Sequence, residues 1–361
     1  MAAPSPSAPV DPSGRSYSAR DLVLPVSLSL AVLGGILYLT YQPGAFRLMA
    51  EALRPGLLAL AVTFLGVQLA LGGVRLRYIS HGLVPFRKGV RAQLAWDFMS
   101  AVTPSAIGGA PFASYFVAKD NDIPVGQATA VMLFSMLMDQ VWFAATIPVI
   151  LYATAYLDVF PPALGAVGAG TLTTYFLVML LWVAFFAYAT VIKPEVIEKA
   201  AGWLLRLKWL RRFEDRVMAE MEKLKEQAKV LRGQPIRFYV IGFLYSAGVW
   251  FSRYLVVLFI VWSVTPGLAW FEFLLRTGAM WLTVLAVPTP GGSGGMEGLY
   301  LLFLAPLIPN GFEGSTLLLW RFLSYHVFIV LGLFVTSHTI RGVLRSRRGE
   351  EDPQPAPLSS P

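Results

Sequence analysis

The sequence predicts an all-α integral membrane protein: about six transmembrane helices plus two re-entrant helical hairpins, arranged as an inverted-topology repeat. Three observations lead there. The 361 residues are 56% hydrophobic and only 14% charged, against about 25% charged in a soluble domain, so a water-facing surface cannot be assembled from them. Apolar runs long enough to cross a hydrocarbon core recur along the chain. A Thr-Pro-x-x-x-Gly-Gly string occurs twice, at 103–109 and 289–295, each time in the middle of an apolar stretch.

Composition also sets limits on function. At about 20 residues per crossing, the length leaves room for roughly six to eight passes and one modest polar segment, which excludes a second large soluble domain. There is no cysteine, hence no disulfide, thiolate metal site or cysteine nucleophile, and His81, His326 and His338 are too scattered for a metal cluster. No cofactor is expected. The net charge of +8 is read as positive-inside topology with anionic lipid contact, and not as nucleic-acid binding.

Taken in order, residues 1–20 are rich in Pro, Ser and Ala and read as a disordered tail. The membrane domain covers 21–345, with spans at 22–41, 56–74, 124–153, 166–192, 236–264 and 314–340, and 346–361 form a second tail. Basic residues follow one orientation. Arg15 and Arg20, five Lys or Arg in 75–92, Lys119, twelve in 193–237 and four beyond 340 fall on one side, against Arg47 and Arg54 on the other. Both termini are therefore expected in the cytoplasm, with the chain in the cell membrane. Within 195–231, Leu207, Leu210, Phe213, Val217, Met221 and Leu224 recur at helical spacing among charges. That pattern predicts an amphipathic helix on the cytoplasmic headgroup surface, or a docking helix for a cytosolic partner.

The segments 93–119 and 270–309 carry the two Gly-rich strings and do not fit a simple span. Basic flanks on the first and their absence on the second predict hairpins entering from opposite leaflets. The order span, hairpin, span then recurs in opposite orientation, which is how transporters place discontinuous helices at a site near the midplane. The plainer reading is that Pro and Gly kink packed helices. If the strings are elbows, the helix starting after each Gly-Gly turns free N–H groups toward an anion such as a phosphate. Thr103, Gly108, Gly109, Thr289, Gly291, Gly294 and Gly295 are thus candidate site residues, and Thr103, Ser105, Thr289 and Ser293 also suit plain helix caps.

Ionisable side chains at membrane depth need a partner or a function. Asp139 falls near the middle of its span, Arg253 and Arg321 fall in outer halves, Glu297 follows the second Gly-Gly, and Asp97 precedes the first string. They serve either as buried pairs that set helix register or as a phosphate-binding cleft, two Arg binding the anion while carboxylates offset them. Glu297 also suits a helix cap, and His326 reads as packed. Arg276 and Glu272, four apart, read as a surface pair. The tryptophans, Trp281 and Trp320 among them, read mostly as interface belts.

VPTPGGSGGMEG at 287–298 and LLLWRFLSYHV at 317–327, with TPSAIGGAPFASYF and MLMDQ in the first half, resemble the transmembrane domain of lysylphosphatidylglycerol synthases, the multiple peptide resistance factors, over about 22–345. The family often has Gly-Glu and a following Arg where this chain has Gly109, Ala110 and Ala113. The resemblance implies a flippase-like fold that moves a phospholipid between leaflets, and Asp139, Glu297, Arg321 and the two Gly-rich strings carry over. The aminoacyl-transferring domain of full-length synthases has no counterpart here, since the longest polar stretch is too short for it. The expected function is therefore non-enzymatic translocation of a phospholipid with an anionic or zwitterionic headgroup. A headgroup transferase and a secondary transporter of a small anion are the alternatives, and a homo-oligomer is compatible with any of them.

Overall fold

The computed structural model describes residues 45–102, 109–193, 195–205, 214–287 and 292–336. The predicted span 22–41, both tails, Thr103, Gly108, Thr289 and Gly291 lie outside the described residues. Twelve helices carry the rest: α1 Ala45–Ala52, α2 Pro55–Ile79, α3 Phe86–Val102, α4 Gly109–Asn121, α5 Val125–Ala153, α6 Gly165–Ala187, α7 Glu195–Leu205, α8 Glu214–Arg232, α9 Ile236–Trp262, α10 Trp270–Val284, α11 Gly295–Phe303 and α12 Glu313–Arg321. Helix α12 continues through a wide π turn at Phe322–His326 as far as Thr336. No strand occurs among the described residues.

Among the described residues, five helical stretches are long and apolar enough to cross a membrane: Pro55–Ile79, Val125–Ala153, Pro162–Thr190, Ile236–Trp262 and Glu313–Thr336. They match the five predicted spans within the described residues to a few residues at each end. The chain is an all-α, multi-pass membrane protein. The outward face agrees: Leu177, Leu181, Trp182 and Phe185 on α6, and Val330 and Phe334 on the last span, are exposed large apolar side chains, a surface stable against lipid and not against water.

Local chemistry sets the boundaries. Pro55 opens α2, where its missing N–H costs nothing. The helix ends as Ser80 Oγ accepts the Val84 N–H at 3.0 Å and the chain turns through His81 and Gly82 at φ 53° and 87°. Because α2 runs on to Ile79, it carries Arg75 into the interior, where that residue is 1% exposed. Arg75, counted with the basic residues of 75–92, is thus paired inside the protein with Asp139.

Segments 93–119 and 270–309 are each two short helices, α3 with α4 and α10 with α11, packed on one another. Helices α2 and α9 form the most extensive helix pair, and α3 lies against α2. A Cβ on Gly89 would stand 2.6 Å from the Gly73 carbonyl oxygen, so that crossing depends on glycine. The last span closes onto α3 the same way, a Cβ on Gly332 falling 2.3 Å from Phe98 Cβ. One apolar core gathers Phe273, Met280, Tyr300 and Trp320, and a second gathers Leu76, Met132, Phe134 and Phe238. A small third cluster, Phe98, Met99, Ala101, Tyr325 and Ile329, joins the end of α3 to the last span.

Away from these cores, α8 docks on the start of α5. Glu220 Oε2 accepts the Gly126 N–H at 2.7 Å, and Gln127 donates to Gln227 at 3.2 Å. Lys225 lies between Glu222 at 2.7 Å and Glu198 at 3.3 Å, and these hydrogen bonds, that to Glu222 first, hold its ammonium above the usual lysine range.

Candidate functional site

Glu297 sits on the first turn of α11, after Gly294 whose φ of 85° favours a residue without a side chain. Its carboxylate is fully buried. One oxygen accepts the Gly294 N–H at 2.7 Å, which satisfies a free donor at the helix start, and the other accepts Arg321 Nε at 2.7 Å. Arg321, 3% exposed, also lies over the Tyr325 ring, 4.3 Å from its centroid. Gly295 packs so closely on Val287 that a Cβ there would stand 2.4 Å from Val287 Cγ1.

A second pair lies across from the first. Arg253 of α9 donates from Nη2 to Asp97 Oδ1 of α3 at 2.7 Å, and its guanidinium stands 5.1 Å from the Trp250 ring and 6.0 Å from that of Trp281. Between the pairs is a cavity of about 130 Å³, lined by Gln68, Asp97, Arg253, Trp281, Trp320, Arg321 and Tyr325, and by the ends of the split segments at Ser100, Ala101, Gly292 and Met296. Arg253 Nε, Arg321 Nη2 and Trp281 Nε1 are buried N–H donors with no hydrogen-bond partner among the described residues. Buried donors left unpaired are costly. A cavity lined by two arginines and a tryptophan has the residue types that bind an anionic acceptor.

A third pair lies outside the cavity lining. Arg75 Nη1 donates to Asp139 Oδ1 at 2.5 Å and to Ser246 Oγ at 2.9 Å, and Nη2 donates to Gln93 Oε1 at 3.3 Å. Asp139 therefore partners Arg75 rather than an arginine of the outer half, and it does not line the cavity. Among the described residues no three of His, Asp or Glu converge as metal ligands.

Of the sequence-predicted site residues, the structure gathers Asp97, Arg253 and Arg321 around the cavity, with Glu297 and Gly294 directly behind Arg321. Gly109 begins α4. Ser293 is not the cap of α11, Gly294 holding that place; its Oγ donates to the Tyr325 hydroxyl at 3.4 Å. His326 is held through Nδ1 to the Arg321 carbonyl at 3.2 Å. The Glu272–Arg276 pair is not a surface pair: Arg276 is 4% exposed and also donates to the Phe303 carbonyl at 3.1 Å, because α10 lies buried against α11. Sequence reasoning missed Gln68, Gln93, Trp281, Trp320 and Tyr325. A polar Gln68 inside an apolar run was the one available signal; nothing separates Trp281 or Trp320 from belt tryptophans until the helices are packed.

Known proteins share this sequence pattern. A UPF0104 membrane protein of Archaeoglobus fulgidus is 23% identical over 281 residues, 75% of this chain and 82% of that protein. The family model described as the lysylphosphatidylglycerol synthase TM region matches residues 26–332. The match takes in α2 through α12 and every ion pair around the cavity, and the chain belongs to the lysylphosphatidylglycerol synthase transmembrane-region family.

Proposed function

We propose that this protein translocates a phospholipid between leaflets, passing the headgroup through the cavity between the two split segments while the acyl chains stay in the bilayer. Its place is the cell membrane with both termini cytoplasmic, and the split segments act as re-entrant hairpins of an inverted repeat. Family membership supports a lipid-related role. The observation that carries the reading is the cavity lining: an opening of about 130 Å³ lined by Arg253 and Arg321, two guanidinium-bearing residues each held by one carboxylate. Arg321 and Arg253 bind the phosphate, Asp97 and Glu297 balance their charge when the site is empty, and Asp97 meets the amine of a zwitterionic headgroup. Thr103, Gly108, Thr289 and Gly291 of the Gly-rich strings are further candidates for headgroup contact within this proposal. No bond is made or broken.

The test is reconstitution of the full chain into liposomes carrying a trace of fluorescent phospholipid, with the outer leaflet quenched by an impermeant reductant. Leaflet exchange at least tenfold above protein-free vesicles is expected; exchange at the protein-free rate overturns the proposal.

A further inference from the structure

Two of the three ion pairs are joined through one side chain. Gln93 Oε1 accepts from Arg75, and Gln93 Nε2 donates to both Asp97 oxygens at 3.3 Å. A continuous series of polar contacts therefore runs from Asp139 through Arg75, Gln93 and Asp97 to Arg253, from a carboxylate outside the cavity to a guanidinium lining it.

The cluster is balanced: Arg75, Arg253 and Arg321 against Asp97, Asp139 and Glu297. Entry of a singly charged phosphodiester leaves one excess negative charge in a poorly solvated space, and one proton on a carboxylate removes it. The three carboxylates differ in their partners and exposure. Glu297 is fully buried and takes two N–H donors. Asp97, 12% exposed, takes Arg253 and Gln93. Asp139 takes only Arg75 among the described contacts and is the most exposed of the three, at 16%.

The surroundings of Asp139 leave Arg75 as its controlling charge. Helix α2 supplies Arg75, α9 supplies Ser246 on the same guanidinium nitrogen, and α3 supplies Gln93 and the Trp96 ring on the other side of Arg75. Helix α8 packs on the far end of α5, where Glu220 binds the Gly126 N–H, and α4 brings Lys119 and Asp120 to that end, Asp120 paired with Arg91. From α10, Arg276 is taken by Glu272, and α6 brings Tyr175, bonded to the Leu282 carbonyl.

We propose that Asp139 is a proton-coupling carboxylate, so that an anionic headgroup and one proton cross together. This rests on the translocation reading above. A proton from water adds to an Asp139 carboxylate oxygen and ends its ion pair with Arg75. Arg75, whose Nε has no partner among the described residues, then draws through Gln93 on Asp97, and Asp97 releases Arg253 to the phosphate. When the headgroup leaves on the other side, Asp139 returns its proton to water there and pairs with Arg75 again. By linkage, the proton and the anion must each favour binding of the other by the same factor.

The experiment uses the full chain in liposomes with labelled phosphatidylglycerol, a singly anionic phosphodiester, and a pH dye in the lumen. With a gradient of one pH unit, one-to-one coupling builds about a tenfold asymmetry of the label between leaflets, with about one proton moved per lipid. Asp139→Asn is expected to lose the proton moved per lipid, the asymmetry falling toward one. The wild-type measurement needs no variant to fold. Wild-type protein that exchanges the label yet builds no asymmetry beyond protein-free vesicles overturns proton coupling and leaves translocation standing. Absence of exchange without a gradient overturns translocation itself.

Discussion

The Tyr325 hydroxyl donates to the Ala101 carbonyl oxygen at 3.2 Å, across 224 residues of chain, and accepts from Ser293 at 3.4 Å. One phenol thus ties the last turn of α3 to the segment that leads into α11, with its ring face against Arg321. The two split segments meet at the cavity through this side chain.

Tyr325→Phe removes that tie. The Ala101 carbonyl is left buried without its acceptor bond satisfied, a loss of about 1–3 kcal/mol. Thermal unfolding in detergent is expected to drop by several degrees, while the ring stays in place beneath Arg321. A midpoint equal to wild type would show that the contact contributes nothing.

Arg321→Ala strands a fully buried Glu297, and breaking such a pair costs about 3–5 kcal/mol. The double substitution Arg321→Met with Glu297→Met removes both charges and is expected to be more stable than either single alanine variant, yet inactive in leaflet exchange. Purified double and single variants compared by thermal unfolding and by the exchange assay decide this. A fully active double variant would remove the pair from the site.

Arg253→Lys keeps the charge and loses the planar fork that reaches Asp97 while lying against Trp250 and Trp281. Leaflet exchange is expected to fall at least tenfold with little change in unfolding temperature. Near-wild-type exchange would mean that charge alone suffices there.

Glycine substitutions separate packing from helix propensity. A Cβ on Gly66 of α2 meets nothing within 4 Å, so Gly66→Ala is expected to stabilise by about 0.5–1 kcal/mol. Gly89→Ala, whose Cβ points at the Gly73 carbonyl from 2.6 Å, is expected to destabilise by about 1–3 kcal/mol. Equal unfolding temperatures for the two variants would contradict the close approach of α2 and α3.

Much of the architecture was legible without coordinates. Spans could be read because hydrocarbon thickness dictates the length of an apolar helix, and the five described ones fall where the apolar runs do. Arg321 and Glu297 stood out because charge at depth is costly. Arg75 did not, since a guanidinium near the end of an apolar run looks the same whether the helix stops before it or carries it inward. From sequence, Trp281 and Trp320 read as belt residues, because an indole suits both a headgroup boundary and a cavity wall.

The linear order of residues determined by itself that this is a helical membrane protein with a few costly charges and two interrupted apolar segments, since each of those properties is local. Which charge meets which was decided only by tertiary structure. Arg75 finds Asp139 across 64 residues and Arg253 finds Asp97 across 156, because partner choice depends on which helix faces pack together, and α2 against α9 and α3 is set by glycine contacts and side-chain shape rather than by any spacing along the chain.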